Sequence, residues 1–344
     1  MHRNNLDFLR LIFACLVLIT HSYVLSLSNQ QDFISVLTHG QINCSSLGVK
    51  GFFIISGFLI YRSAMSSKNV QDYLVKRILR IYPAFIVMLI VMFFLGLIVS
   101  SQTVGQYFHN RSALSYIPVN LAMFKPQQYN IDGVFETNPY KGAINGSIWT
   151  IPYEFLFYLL IAMLFFIRKH RKIVAGLFFI GYLLLWTLVL RYEDSKEVNI
   201  LNNAFELHRM AHFGLCFFGG AILAIIKLDQ YRYKHLVLIA ALIGLCGCVI
   251  TRTFYFSQFL WLPLIIISFG TYASAGIAGL NKKMGDFSYG IYLYGFPVQQ
   301  TLLHYYHFNY WELMLISIPV TFILGMLSWH IIEKRALKLK TFFP

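Results

Sequence analysis

Charge is scarce in this chain of 344 residues: Asp, Glu, Lys and Arg together make up 12%. A soluble domain carries about 25%. So few charges cannot cover a water-facing surface, which excludes the two or three soluble domains that the length alone would suggest. Cysteine is sparse too. Cys15, Cys44, Cys216, Cys246 and Cys248 are odd in number and form no CxxC pair, so neither a disulfide framework nor a zinc site is expected. No fixed-period repeat and no low-complexity tract is apparent. Acidic residues number 14 against 28 basic ones, a net charge of +14. In a soluble protein that excess points to nucleic acid. In a lipid-embedded chain it raises the question of which side the charges lie on, and no nucleic-acid partner is expected.

Apolar and aromatic residues are abundant, at 58% and 17%, with mean hydropathy +0.62. A helix needs about 20 mostly apolar residues to cross the hydrocarbon core. Ten stretches qualify: 6–27, 48–64, 81–100, 148–167, 172–190, 209–226, 235–251, 256–279, 287–304 and 312–333. The first reads as a retained helix rather than a signal peptide, since it lacks a small-residue cleavage site. With the N-terminus in the cytoplasm, nineteen of the 28 basic residues fall on the cytoplasmic side, among them Arg3, Arg62, Lys76, Arg77, Arg80, Lys282 and Lys283. The positive-inside rule thus predicts an all-α integral membrane bundle of about ten helices, both termini cytoplasmic. Residues 1–344 read as a single transmembrane domain with a long outer loop at 101–147. The 11 residues after Glu333 are too few for an appended soluble domain.

Ionisable groups inside a bilayer cost about 2.5–3.5 kcal/mol on insertion scales and mark function by default. Arg10, His21, Lys50, Glu154 and Glu333 stand out. Arg10 and His21 are eleven residues apart, about three turns and roughly 16 Å. Eleven steps of about 100° leave them on one face of the first helix, with Asp7. Snorkelling of Arg10 and a helix-bridging hydrogen bond of His21 are the bland alternatives. Gly48, Gly51 and Gly57 of the second span permit close backbone approach, and Ser56 is a packing residue or an internal hydroxyl. Lys50 is read as near the outer end, at the interface. Lys76, Arg77 and Arg80 form one basic patch on a helix, either ordinary positive-inside topology or a dock for a phosphate-rich cytosolic ligand. Glu154, with Tyr158 one turn on, pairs with a cation of another helix or serves the substrate. Tyr289 and Tyr292 are three apart and suited to lining a cavity.

Taken together, these residues resemble acyltransferase family 3, the membrane O-acyltransferases of the cell envelope. Arg10-x10-His21 looks like its R-x10-H signature. FFIISGFLI at 52–60, RILRIYP at 77–83, SIWTIPYEFLFY at 147–158, FSYGIYLYGFP at 287–297 and IIEKRAL at 331–337 look like its further blocks, in order. Two departures stand out. Gly295 occupies the place of a histidine found in many relatives, and Arg335 that of a proline.

The resemblance implies a short acyl-CoA, most often acetyl-CoA, as cytosolic donor, with no metal. It implies a surface or exported glycan or glycolipid hydroxyl as acceptor, in the bacterial inner membrane. A separate soluble transferase or glycan-assembly proteins are conceivable partners beside the lipid. Arg10, Ser56, Lys76, Arg77 and Arg80 are then candidates for donor binding. Trp149, Glu154, Tyr158, Tyr289 and Tyr292 are candidates for acceptor binding. His21, with Arg10 and Glu154, is the catalytic candidate, as a general base or as an acyl carrier. A transporter or flippase of an envelope precursor, or a non-catalytic assembly subunit, would suit the same composition. Thioester consumption separates them: an acyltransferase releases CoA from acyl-CoA in proportion to acceptor, whereas a flippase leaves the thioester intact.

Overall fold

The computed structural model describes residues 4–191, 198–200, 203–272 and 285–342. These residues are almost entirely helical. Helices stand where the apolar stretches predict them: α1 Leu6–Leu25, α3 Cys44–Ser66, α4 Val70–Val99, α7 Ile151–Met163, α8 Arg171–Arg191, α9 Leu207–Ile225, α10 Lys234–Ile250, α11 Phe254–Gly270, α12 Ser288–Tyr305 and α13 Tyr310–Ser328. Short helices α2 Phe33–Leu37, α5 Val104–His109, α6 Arg111–Leu121 and α14 Lys334–Lys338 complete the set. Strands Asn199–Ile200 and Phe205–Glu206 form one small antiparallel ladder. Arg3, Lys282, Lys283 and positions 273–279 of the eighth predicted span lie outside the described residues.

Among the described residues, seven helical segments are long and apolar enough to cross a membrane. Two more, α10 and α11, are apolar but only 17 residues long. The exposed side chains are those of a lipid-facing surface. On α8, Phe179, Ile180, Leu183 and Leu184 are exposed, and on α10 Leu236, Ile239, Leu242 and Ile243. Patches of this kind are rare on soluble monomers.

One boundary differs clearly from expectation. The third span, predicted from Ile81, is the end of a 30-residue helix that begins at Val70, because Asn69 caps its first turn by accepting from the Asp72 N–H. The apolar count misses the first eleven residues, which are helical but polar. The tenth helix also runs on. A π-turn at Trp329–Glu333 leads into α14, a path open because Arg335 stands where a proline would stop it.

Helices α3 and α9 make the tightest pair. A Cβ on Gly57 would run into the Phe217 carbonyl, and one on Gly220 into the Ile54 carbonyl. Small residues allow this approach, and dispersion holds it. The 101–147 stretch folds onto the bundle. Tyr107 donates to the Phe93 carbonyl at 2.8 Å, and Asn120 exchanges bonds with the Gln128 backbone at 2.9 and 3.0 Å. Gln300 of α12 holds the Tyr140 and Ala143 carbonyls at 2.9 and 2.8 Å.

Replacing Gly220 by Val must push α3 and α9 apart, at about 1–3 kcal/mol for overpacking. The expected result is a lower thermal midpoint of the purified protein in detergent; an unchanged midpoint would remove this contact from the core.

Candidate active site

The site starts from a turn. Gly285 has φ +82°, and a Cβ there would meet the Trp329 indole. Only glycine fits both conditions. That turn delivers Asp286 to the start of α12, where its carboxylate accepts from Arg10 of α1, from Arg80 of α4 at 2.5 Å and from Ser288 Oγ at 2.6 Å. Arg80 also pairs with Glu333 at 3.4 Å, and Glu333 accepts from Ser328 Oγ at 3.0 Å. Four helical segments therefore converge on one cluster of two guanidinium groups and two carboxylates. Asp286 was not among the residues singled out from the sequence. Its only signal there is an acid at a helix start, which is ordinary for helices.

A cavity of about 580 Å³ lies beside this cluster. Along α3 its lining runs from Ser66 to Val49, seventeen residues or about 25 Å of helix. It brings together Arg10, Ser56, Lys76, Arg77, Arg80, Glu154, Tyr158, Tyr289 and Tyr292 from the sequence-derived candidates, and adds Arg62 and Lys340. Most of its cations have carboxylate partners: Arg62 pairs with Asp229 at 2.8 Å and Lys76 with Asp72 at 2.7 Å. Arg77 differs. Its guanidinium stacks over Tyr73 and Tyr158, donates to Ser63 Oγ at 3.3 Å, and leaves a buried Nε without a partner among the described residues.

Further along, Glu154 accepts from Tyr158 Oη and from Ser56 Oγ at 3.2 Å. Among the described residues no cation pairs with it; two hydroxyls hold it. Tyr292 donates to the Ser147 carbonyl at 2.8 Å and takes a bond from Thr150 Oγ1 at 2.6 Å. Its ring meets Phe52 edge-on at 5.9 Å, and Phe13 backs Phe52 at 6.1 Å. These rings close the far end.

Two candidates lie outside the lining. Trp149 packs on Phe213 under the Arg209 guanidinium, 4.5 Å away. His21 lies just beyond the closed end. The Ser45 N–H donates to Thr20 Oγ1 at 2.8 Å, so His21 is level with the start of α3. Val49 falls about one turn, roughly 6 Å, short of it. The imidazole is half-buried, edge-on to Phe296 at 5.4 Å, and Phe296 is one turn past Tyr292 on α12. Arg10 and His21 thus belong to one stripe of α1, with Arg10 in the cavity and His21 above it. Asp32, also missed from sequence, fixes this level by accepting from Thr20 Oγ1 at 2.6 Å and from the Cys44 N–H. Burial favours its protonated form, but the Thr20, Ser35 and Cys44 donors outweigh that and hold its carboxyl below the usual range. At Gly295, a Cβ would press on Leu18, so the space of a second histidine is already filled. Among the described residues no cluster of His, Cys, Asp or Glu is placed to hold a metal ion.

Apolar helices around an internal, cation-lined cavity define a multi-pass membrane protein. The chain belongs to acyltransferase family 3, whose acyltransferase domain matches residues 3–330. It is 30% identical to an O-acetyl transferase of Shigella phage Sf6, over 98% of this chain and 97% of that protein. Nodulation protein 10 of Rhizobium leguminosarum bv. viciae is 27% identical, over 99% and 95%. O-acetyltransferase OatA of Staphylococcus aureus is 24% identical over 87% of this chain but 54% of its own length. No solved structure matches. The protein is a membrane O-acyltransferase.

Removing one member of a buried charge cluster leaves its partner uncompensated, at about 3–5 kcal/mol. Asp286→Asn is therefore expected to lower both folded yield and turnover, while Asp72→Asn, whose amide oxygen can still accept from Lys76 and the Lys68 N–H, leaves yield near wild type. Equal yields for both, measured by size-exclusion chromatography in detergent, would deny the cluster its structural role.

Proposed function

We propose that this enzyme moves an acyl group, acetyl in the first instance, from cytosolic acyl-CoA to a hydroxyl of a surface or exported glycan. In this reading ten helices cross the bacterial inner membrane with both termini inside, so that the Arg62 and Lys340 end of the cavity opens to the cytoplasm. Coenzyme A carries three phosphates on a long, thin arm. The observation that carries the reading is Arg77: a guanidinium in the cavity wall with no carboxylate of its own and an unpartnered buried Nε. A phosphate would supply the anion that no described residue gives it. Arg10 and Arg80, locked on Asp286, would add field rather than free donors.

The arm would then run along α3 past Ser56 and Glu154, placing the thioester near Phe52 and Tyr292. The acceptor would enter from the opposite side, above His21. His21 would take the proton of the attacking hydroxyl as the new C–O bond forms and the C–S bond breaks, and the departing thiolate would recover that proton. Glu154 and its two hydroxyl partners would orient groups at the junction. Because the Phe52–Tyr292 pair stands between cavity and imidazole, the acyl end must pass these rings before transfer. An acyl-histidine formed at His21 would meet the same geometry and differs only in leaving a covalent intermediate.

His21→Ala is expected to abolish acylation of the glycan, read by mass analysis of sugars from cells with equal membrane levels of protein. Arg77→Ala should raise the donor KM about tenfold or more with a smaller fall in kcat, and Arg77→Lys should recover part of it. Normal acylation in the His21 variant, or a donor KM untouched in the Arg77 variant, would overturn the respective role.

A further inference from the structure

A second polar cluster lies outside the cavity, where the first turns of α3, α9 and α11 meet. Lys50 was read from the sequence as an interfacial residue; instead its Nζ donates to Gln258 Oε1 at 2.6 Å across the α3–α11 contact. Gln258 is buried, and its amide donates to the Tyr255 carbonyl at 2.6 Å. Beside them His212 Nε2 lies 3.3 Å from the Tyr255 hydroxyl, and the His208 ring stacks near that of His212 with centroids 4.2 Å apart.

The composition of this cluster is one-sided. An ammonium has three N–H groups, and only one hydrogen bond from Lys50 is formed among the described residues, to a neutral amide. None of the ion pairs among the described residues includes Lys50; neighbouring Arg209, by contrast, is held by Glu206 at 2.6 Å. Gln258 is the hydrogen-bond partner of Lys50, and His212 and the Cys216 thiol lie near it. A cation at this depth requires an anion or a proton lost, and among the described residues no carboxylate pairs with it. Depth narrows the choice. Lys50 is six residues into α3, about 9 Å from its start, and Gln258 and His212 are equally near the starts of their helices. In the membrane-spanning reading that leaves Lys50 a little below one phosphate layer, which its stem can reach.

We infer that Lys50, with His208, His212 and Tyr255 around it, forms a binding site for the phosphate ester of a membrane-embedded amphiphile. The Lys50 ammonium supplies the charge and two further N–H groups for a phosphate oxygen. The site is separate from the donor cavity, although Val49 and Phe53, on either side of Lys50 in sequence, both line that cavity. A ligand held here therefore has its head close to the junction at which acyl transfer is proposed. Identifying that ligand as the acceptor rests on the acyltransfer reading; the phosphate site itself does not.

The test uses the full chain in phosphatidylcholine nanodiscs, with the thermal midpoint as readout. Decyl phosphate should raise the midpoint of the wild type, and decanol should not. Lys50→Gln should need about tenfold more decyl phosphate for the same shift. Gln258→Glu gives Lys50 an internal carboxylate, so it should raise the ligand-free midpoint and remove the response. Phosphatidylglycerol in the disc bilayer reproducing the shift would assign the site to a bulk headgroup. Inorganic phosphate reproducing it would assign the site to a free anion, and response to decyl phosphate alone would assign it to a phosphorylated acceptor lipid. A wild type that ignores all three, or a Gln258→Glu protein that responds like wild type, overturns the proposal. Coenzyme A binding, followed in the same discs, should be equal in wild type and both variants. Its loss throughout would count against the donor cavity and leave this site standing.

Discussion

Where water is scarce a guanidinium must find an anion, and here two guanidinium groups from different helices share one carboxylate. Arg10 and Arg80 both end on Asp286, and Glu333 draws the end of the last long helix to Arg80. The rest of the active region follows from that knot. It ties α1, α4, the start of α12 and the end of the last long helix to one another. It also holds four charged side chains together that would otherwise repel or seek lipid headgroups. The cavity is the space left beside the knot, and Arg77, one turn of α4 away, faces that space without an anion of its own.

Along the axis of α1 the chemistry is divided. The cavity carries cations at one end and hydroxyls and aromatic rings at the other, where Phe52 and Tyr292 line it. His21 lies one turn farther, held at its level by Asp32 through Thr20. In the proposed reaction, aromatic rings between the cavity and the imidazole would exclude water from a thioester. A layer of side chains at this level suits the proposed reaction, whose two substrates arrive from opposite sides of a membrane.

Much of this was legible beforehand because it is periodic. The spans follow from runs of apolar residues, and the shared face of Arg10 and His21 follows from eleven residues at 100° each. The cavity also holds most of the basic and tyrosine candidates drawn from the blocks at 77–83, 147–158 and 287–297. Asp286 was illegible because its partners are more than 200 positions away and an acid at a helix start looks like a cap. The contact of Lys50 with Gln258 was illegible for the same reason: it joins helices that no local pattern connects. Trp149 shares a block with Glu154 but not its surroundings, since the single 3₁₀ turn at Ile148–Thr150 points it to Phe213 and Arg209. The start of α4 was missed because membrane counting reads hydropathy, while a helix begins where a cap allows it.

The order of residues by itself determined that this protein lives in lipid, which stretches are helical, and that a guanidinium and an imidazole share a stripe of the first helix. Each depends on local composition or on the repeat of a single helix. Tertiary structure alone decided which carboxylate balances which cation, that Arg77 is left over, and that the cavity ends one turn before His21. Those outcomes depend on the lateral packing of α1, α3, α4 and α12, whose contacts are distant in the chain and so leave no periodic trace in it.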